Sequence, residues 1–147
     1  MLNNLQLTKE GVNMKSRIRT NHTAHELNVI ERIAYMQKTF GYQFDATGTR
    51  KKYYLWRPIE NGAMEYRKAQ RVAYCKCYIV PDDDACFVVS YRTVIGMYSK
   101  VERTYYSMGA YSVTTYQHER KALEALRNKG YHINKVNKLW IVDNFAS

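Results

Sequence analysis

The pattern of apolar positions predicts a first helix from Ala24 to Phe40. Apolar residues recur there every three or four positions, which places them on one side of a helix. Thr23 and Glu26 form a capping box before it, in which an N-cap hydroxyl and an N3 carboxylate each accept a hydrogen bond from a free backbone amide. Gly41 follows, at the position where many helices end in a left-handed residue.

A second helix is predicted from Tyr116 to Lys129. Its apolar residues keep the same spacing, and Thr114 with Gln117 repeats the capping-box pattern. Gly130 follows as the residue that ends the helix. The two helices leave a long segment between them and a short segment after the second.

The segments between and after the helices favour β-strands. They are rich in aromatic and β-branched residues and are separated by turn signals, of which Asn61-Gly62 and residues 81–84 are the clearest. The last two strands are expected to form a hairpin with its turn at Asn137-Lys138. No clear strand is expected before the first helix. The predicted strands cover residues 50–57, 66–80 with an interruption near 69–70, 85–95, 98–106, 131–136 and 139–145.

This order of elements predicts an α+β fold, with a mostly antiparallel sheet of about five to six strands and two helices, in the order α-β-β-β-β-α-β-β. The length of 147 residues is typical of one domain. Residues 1–13 are interpreted as a polar N-terminal extension, and residues 14–147 as a single α+β domain.

The turn after Val80 allows the two faces of one hairpin to be assigned. A loop symmetric about residues 82 and 83 pairs Val80 with Ala85, and paired residues share a face of the sheet. A slip of one residue would exchange the two faces. One face carries small apolar side chains suited to close packing under a helix, namely Ala73, Cys75, Cys77, Ile79, Cys86 and Val88. The other carries aromatic side chains and a lysine, namely Tyr74, Lys76, Tyr78, Phe87, Val89 and Tyr91.

Charge and aromatic content suggest a function for that second face. The chain carries 23 Lys and Arg against 13 Asp and Glu, a net charge of +10, together with 14 tyrosines. Residues 50–78 hold eight of the basic residues and two acidic ones, with aromatic residues between them. Lysine and arginine neutralise phosphates, and nucleic-acid bases stack on aromatic rings. The predicted nucleic-acid-binding residues are Arg50, Lys51, Lys52, Tyr54, Trp56, Arg57, Arg67, Lys68, Arg71, Tyr74, Lys76, Tyr78, Phe87 and Tyr91.

A purely structural interpretation of the same residues stays open. Tyrosine is a good strand former, so a second layer of the fold could bury the tyrosine-bearing face. Cations on exposed strands also protect a sheet against edge-to-edge aggregation. The sequence alone does not decide between burial and binding for this face.

The second helix and the segment after it form another basic region. Residues 120–138 contain six Lys and Arg residues against Glu124 alone. A helix followed by a hairpin is similar in outline to the recognition helix and wing of a winged-helix domain, although that family needs two further helices where this chain has strands. A solvated helix face and a surface for non-specific phosphate contact are the two interpretations. The six residues are Arg120, Lys121, Arg127, Lys129, Lys135 and Lys138.

Several classes of function lack a signal in the sequence. No apolar run approaches the roughly 18 residues that cross a bilayer, so no membrane partner is expected. No nucleophile elbow, P-loop or dinucleotide-binding glycine pattern is present, so no catalytic residue or cofactor is assigned, although a metal-dependent nuclease site assembled from distant carboxylates stays open. The three cysteines lack the paired spacing of a zinc site, so no metal is assigned. Their odd number, without an export signal, favours reduced thiols and the cytoplasm.

Two functional hypotheses follow from these observations. The first is a small basic, non-catalytic protein that binds DNA or RNA, contacting phosphates through Lys and Arg and stacking bases on Tyr. The alternative is a phage or mobile-element accessory effector that binds and inhibits an acidic host protein through a basic, tyrosine-rich surface. A tyrosine-rich face could also serve as a homodimer interface, so an oligomer is left open.

Overall fold

A computed structural model describes residues 5–7, 13–44, 51–58, 64–73, 75–109 and 112–145. The helices are α1 (Ala24–Thr39) and α2 (Val113–Asn128). The capping box at the start of α1 is confirmed, because the Thr23 hydroxyl accepts from the amide of Glu26 and the Glu26 carboxylate accepts from the amide of Thr23. The strands are β1 (Leu5–Leu7), β2 (Asn13–Ile18), β3 (Phe40–Phe44), β4 (Lys51–Pro58), β5 (Met64–Lys68), β6 (Gln70–Arg71), β7 (Cys77–Pro81), β8 (Ala85–Ser90), β9 (Thr93–Ser99), β10 (Thr104–Ser107), β11 (Lys135–Lys138) and β12 (Trp140–Phe145).

Six strands form a central sheet in the spatial order β11-β10-β9-β8-β7-β6. Its neighbouring strands are antiparallel except β10 and β11, which run parallel with Thr104 opposite Lys135. The described strands also form two three-stranded sheets, β1-β2-β12 and β3-β4-β5. A mostly antiparallel six-stranded sheet with two helices confirms the predicted α+β fold.

The two helices lie on opposite faces of the central sheet. Alternate residues of a strand point to opposite faces, and the buried apolar side chains divide accordingly into two clusters. Ile33 of α1 belongs to the cluster that contains Phe87, whereas Leu126 of α2 belongs to the cluster that contains the next strand residue, Val88. Four of the small apolar residues predicted to lie under a helix, Cys77, Ile79, Cys86 and Val88, belong to the cluster under α2, and Cys75 packs against that cluster. Ala73, the sixth residue of the predicted face, is exposed and has a positive φ of 48°.

Two turns without glycine divide strands that the sequence predicts as continuous. Tyr91 and Arg103 both have a φ of 56°, in the left-handed region that residues with a side chain adopt infrequently. Tyr91 begins the tight turn between β8 and β9, and Arg103 directly precedes β10. The prediction of single strands over residues 85–95 and 98–106 is wrong, because neither turn carries the glycine that usually marks a positive φ.

Gly96 lies inside β9, although the sequence suggests a boundary there. A Cβ atom at this position would lie 2.0 Å from the hydroxyl oxygen of Tyr105, whose ring crosses over the glycine. The residue is therefore glycine because an aromatic ring approaches the backbone closely, and the strand continues through it.

The start of α2, the C-terminal segment and the segment before α1 also differ from the prediction. The N-cap of α2 is Ser112, whose hydroxyl accepts from the amide of Thr115, so the helix begins at Val113 and not at Tyr116. The predicted C-terminal hairpin is wrong, because β11 pairs with β10 whereas β12 pairs with β2. The expectation of no strand before the first helix is also wrong, because β1 and β2 precede α1. These pairings join residues too distant in sequence for local patterns to indicate them.

Glu26 attaches the first turn of α1 to two other segments. Its Oε2 accepts from Arg19 Nη2 at 2.7 Å and from Asn137 Nδ2 at 2.9 Å, while Oε1 accepts from the Thr23 amide at 2.9 Å. These hydrogen bonds, above all that from Thr23, lower the pKa of the buried carboxyl to about 2. Both oxygens of this carboxylate are therefore occupied by internal hydrogen bonds and are not available to bind a ligand.

Candidate nucleic-acid interface

The part of the predicted aromatic face that lies within β7 and β8 is buried. Val80 pairs with Phe87 and not with Ala85, a shift of two residues that leaves the assignment of the faces unchanged. Tyr78 and Phe87 are only 5% and 2% exposed because α1 covers this face. Neither ring is accessible to a base, so the structural interpretation holds for these two residues.

Three of the predicted binding residues, Arg71, Lys76 and Tyr91, are exposed. The Tyr91 amide donates to the carbonyl oxygen of Lys76 at 2.8 Å, and Arg71 Nε donates to the carbonyl oxygen of Cys75 at 3.0 Å. The side chain of Tyr91 is 52% exposed, and its ring centroid lies 5.4 Å from that of His118 on α2. Tyr91 thus lies against α2, and hydrogen bonds place Lys76 beside Tyr91 and Arg71 beside Cys75.

Most of the other predicted residues belong to β4 and β5, of which the backbone is described. The register places Tyr54 opposite Lys68 in this pair of strands. Arg50 and Tyr74 lie outside the described residues, as does the Asn61-Gly62 turn. Binding by the residues on β4 and β5 stays a prediction; they are Lys51, Lys52, Tyr54, Trp56, Arg57, Arg67 and Lys68.

Unpaired positive charge is concentrated on α2 and the segment after it. The cations of this region have no Asp or Glu oxygen within 4.0 Å among the described residues. The ion pairs that the structure describes all involve α1 or Arg19, just before it. The unpaired cations are Arg120, Lys121, Arg127, Lys129, Lys135 and Lys138.

The two sides of the central sheet consequently differ in charge. Residues 113–138 contain six Lys and Arg against two Glu, a formal charge of +4. Residues 24–39 of α1 and the adjoining turn 82–84 contain two basic residues against five Asp and Glu, a formal charge of −3. Of the two helix-bearing sides of the sheet, the α2 side therefore carries the positive charge, and we expect an anionic ligand to be attracted to it.

A groove follows the exposed side of α2. Two adjoining hollows of about 580 and 400 Å³ share Arg127 as a lining residue. A third, of about 210 Å³, continues past Lys129 and Tyr131 to Gln70. We call the first two hollows the α2 groove; its lining residues are Gln117, Arg120, Lys121, Leu123, Glu124, Arg127, Gly130, Tyr131, His132 and Ile133.

Aromatic rings lie beside cations near both ends of the α2 groove. The guanidinium carbon of Arg120 lies 6.0 Å from the ring centroid of Tyr116, whose side chain is 52% exposed. Lys100 Nζ lies 5.7 Å from the ring centroid of Tyr131. Both distances are in the range of cation–π contacts. A ligand lying along the groove would therefore meet positive charge in its middle and a tyrosine at each end.

Buried polar contacts fix the inner side of α2 on the sheet. Glu119 Oε2 accepts from the hydroxyls of Tyr105 and Ser107, both at 2.8 Å, and Trp140 Nε1 donates to Ser107 Oγ at 3.1 Å. Burial raises the pKa of Glu119. The contacts join α2 to β10 and β12, so the outer side of the helix is presented in one orientation.

A serine and a histidine are hydrogen-bonded beneath α2, but both are buried. Ser90 Oγ lies 2.8 Å from His118 Nδ1, and burial lowers the pKa of the imidazole. The Cys77 thiol donates to the carbonyl oxygen of His118 at 3.5 Å, and burial raises its pKa to about 12, which keeps it protonated and unreactive. Within the described part of the chain, no three His, Cys, Asp or Glu residues converge as metal ligands.

The binding residues predicted from the sequence include none on α2 and neither of the tyrosines beside its groove. Tyr116 and Arg120 are four residues apart, which places them on one side of a helix, so this pair could have been found. Tyr131 and Lys100 are distant in sequence, and only the fold brings them together.

The comparisons with family models, curated proteins and solved structures find no match for this chain. Among the described residues, neither helix has the length and apolar character needed to cross a bilayer.

Proposed function

We propose that the protein binds nucleic acid along the α2 groove and does so without catalysing a reaction. The observation that carries this proposal is the row of cations on α2 without carboxylate partners among the described residues. Cations that are not engaged by internal carboxylates are free to contact phosphates, and the counterions that this contact releases favour binding.

A single strand fits the α2 groove better than a duplex does. Its exposed bases can stack on Tyr116, Tyr131 and the adjacent Tyr91, and each stacking contact contributes about 1–3 kcal/mol. The 16-residue helix is about 24 Å long, so several nucleotides fit along it. Binding of a duplex in the winged-helix manner would need a hairpin after α2, but β11 and β12 pair with other strands and not with each other.

Fluorescence anisotropy of labelled single-stranded and double-stranded DNA and RNA, measured at several salt concentrations, tests the proposal. If the groove-lining cations Arg120, Lys121 and Arg127 and the neighbouring Lys129 each contact a phosphate, a plot of log K against log salt for a single strand has a slope of about −3. We expect micromolar or tighter binding at low salt and a preference for single strands. Affinity that does not change with salt would overturn the proposal.

A matched pair of variants separates local contact from overall charge. Arg127 and Lys38 are both basic residues in the last turn of a helix, one on each side of the sheet. Arg127→Gln should reduce the magnitude of the slope by about 0.7, whereas Lys38→Gln should leave it nearly unchanged. Equal effects would mean that only the net charge matters, which contradicts binding in the α2 groove.

An acidic protein surface is the rival ligand for the same cations. Absence of binding to every oligonucleotide at low salt would eliminate the nucleic-acid proposal. Affinity capture from nuclease-treated lysate would then be used to look for an acidic protein whose retention is lost in Arg127→Gln. The tyrosines and arginines around the groove are residue types that dominate protein interfaces.

A further inference from the structure

A separate cavity lies on the opposite side of the sheet, between the middle of α1 and the turn after β7. It has a volume of about 370 Å³. Its apolar lining residues are Met36 and Phe87, each only 2% exposed, and Tyr35, which is 44% exposed. We call this hollow the α1 cavity.

Carboxylates outnumber cations around the α1 cavity. The guanidinium of Arg32 donates to both carboxylate oxygens of Asp84, at 2.8 and 3.3 Å, and lies 3.6 Å from a carboxylate oxygen of Asp82. This one cation is thus shared by two carboxylates, and the hydrogen bond from Arg32 lowers the pKa of Asp84. Glu31, also on the lining, has no ion-pair partner among the described residues.

Arg32 is held away from Glu31 by contacts on two sides. Besides its bonds to Asp84, its guanidinium carbon lies 5.8 Å from the ring centroid of Phe87. Glu31, Arg32, Asp82 and Asp84 together have a formal charge of −2. A cavity with this charge repels phosphates and attracts a cation, in contrast to the α2 groove.

We propose that the α1 cavity binds an arginine or lysine side chain from a basic segment of a partner protein. Such a side chain combines an apolar stem with a charged head, so the stem would pack against the exposed ring of Tyr35 while the head meets the carboxylate of Glu31 beside Asp82. An arginine would also stack on Tyr35. Leu27, exposed two turns before Tyr35 on α1, extends the apolar contact beside the cavity.

This site goes beyond nucleic-acid binding and does not depend on it. Because α1 and α2 cover opposite faces of the sheet, a basic protein segment and a nucleic acid could be bound at the same time. The protein would then connect two ligands of opposite charge. Loss of one binding activity would leave the other intact.

Nuclear magnetic resonance of the full-length, ¹⁵N-labelled protein tests the proposal with a defined probe. The probe is the peptide acetyl-Gly-Arg-Gly-amide, and its control replaces arginine with the uncharged isostere citrulline. We expect saturable shifts of the backbone amides of residues 28–36 and 82–87 with the arginine peptide only. Equal shifts with citrulline, or shifts confined to other regions, would overturn the proposal.

A substitution in the cavity provides the matched comparison. Glu31→Gln should weaken peptide binding about two- to fivefold, as expected for a solvent-accessible ion pair. Glu124→Gln removes an exposed helical glutamate on α2 and should leave peptide binding unchanged. Equal weakening by both variants would contradict a local site. Shifts at the same amides on concentrating the protein alone would identify a second copy of the chain as the occupant and overturn the partner-protein proposal.

Discussion

Replacement of Glu26 by glutamine should destabilise the protein strongly at neutral pH and weakly in acid. The carboxylate accepts hydrogen bonds from Thr23, Arg19 and Asn137, and its pKa falls from the ordinary 4.5 to about 2. Because the folded-state pKa is the lower one, this stabilisation is complete above about pH 4.5 and is lost as the pH falls towards 2. The shift corresponds to about 3 kcal/mol of unfolding free energy.

Urea denaturation of the wild type and Glu26→Gln, followed by circular dichroism across this pH range, measures the effect. The difference in unfolding free energy should be about 3 kcal/mol at neutral pH and should shrink as the pH approaches 2. Glu31→Gln, an exposed position on the same helix, serves as the control and should change stability by less than about 0.5 kcal/mol. A Glu26→Gln difference that is the same at every pH would refute the argument.

Three further substitutions test other parts of the structure by thermal or urea denaturation. Gly96→Ala should cost about 3 kcal/mol, because its Cβ would overlap the ring of Tyr105; a wild-type melting curve would contradict this close approach. Burial raises the pKa of Glu119 above its ordinary 4.5, so the wild type should lose stability as the pH rises from 4.5 towards the folded-state pKa, whereas Glu119→Gln should show no such loss; a stability difference between the two that does not change with pH would count against that shift. Tyr91→Gly should raise the free energy of unfolding by up to about 1 kcal/mol, because glycine adopts a positive φ without strain. The same substitution removes an exposed ring beside α2 and should weaken oligonucleotide binding. Lower stability with unchanged affinity would contradict both expectations.

The parts of the fold that depend on local interactions could be predicted from the sequence. The predicted bounds of α1, Ala24–Phe40, agree with the observed bounds, Ala24–Thr39, to within one residue. This helix is predictable because its apolar spacing and the Thr23–Glu26 capping box are interactions between residues a few positions apart. The predicted faces agree with the structure for the residues within β7 and β8, since the predicted and observed registers differ by an even number of residues. Contrary to the prediction, Tyr91 does not share a face with Phe87, because it lies in the turn after β8 and its ring contacts His118 of α2. The break after Ser90 was missed because Tyr91 adopts a conformation that its side chain disfavours.

The candidate site was harder to predict because burial depends on tertiary packing. Tyr78 and Phe87 have the alternation expected of an exposed aromatic face, but the same alternation suits a face covered by a helix. The local sequence of β7 and β8 does not indicate that α1, which precedes them by about 40 residues, packs on that face. Whether the α2 cations are paired likewise depends on where the fold places the carboxylates, and the carboxylates of the described ion pairs contact residues of α1 or belong to it.

Mapping an oligonucleotide onto the protein by amide chemical shifts shows directly whether nucleic acid binds in the α2 groove. The full-length, ¹⁵N-labelled protein would be titrated with a short single-stranded DNA at low salt, and each shift assigned to a residue. We expect saturable shifts concentrated in residues 113–138 and around Tyr91, and none in α1. Shifts confined to α1 would contradict binding in the α2 groove, as would shifts confined to residues 50–68.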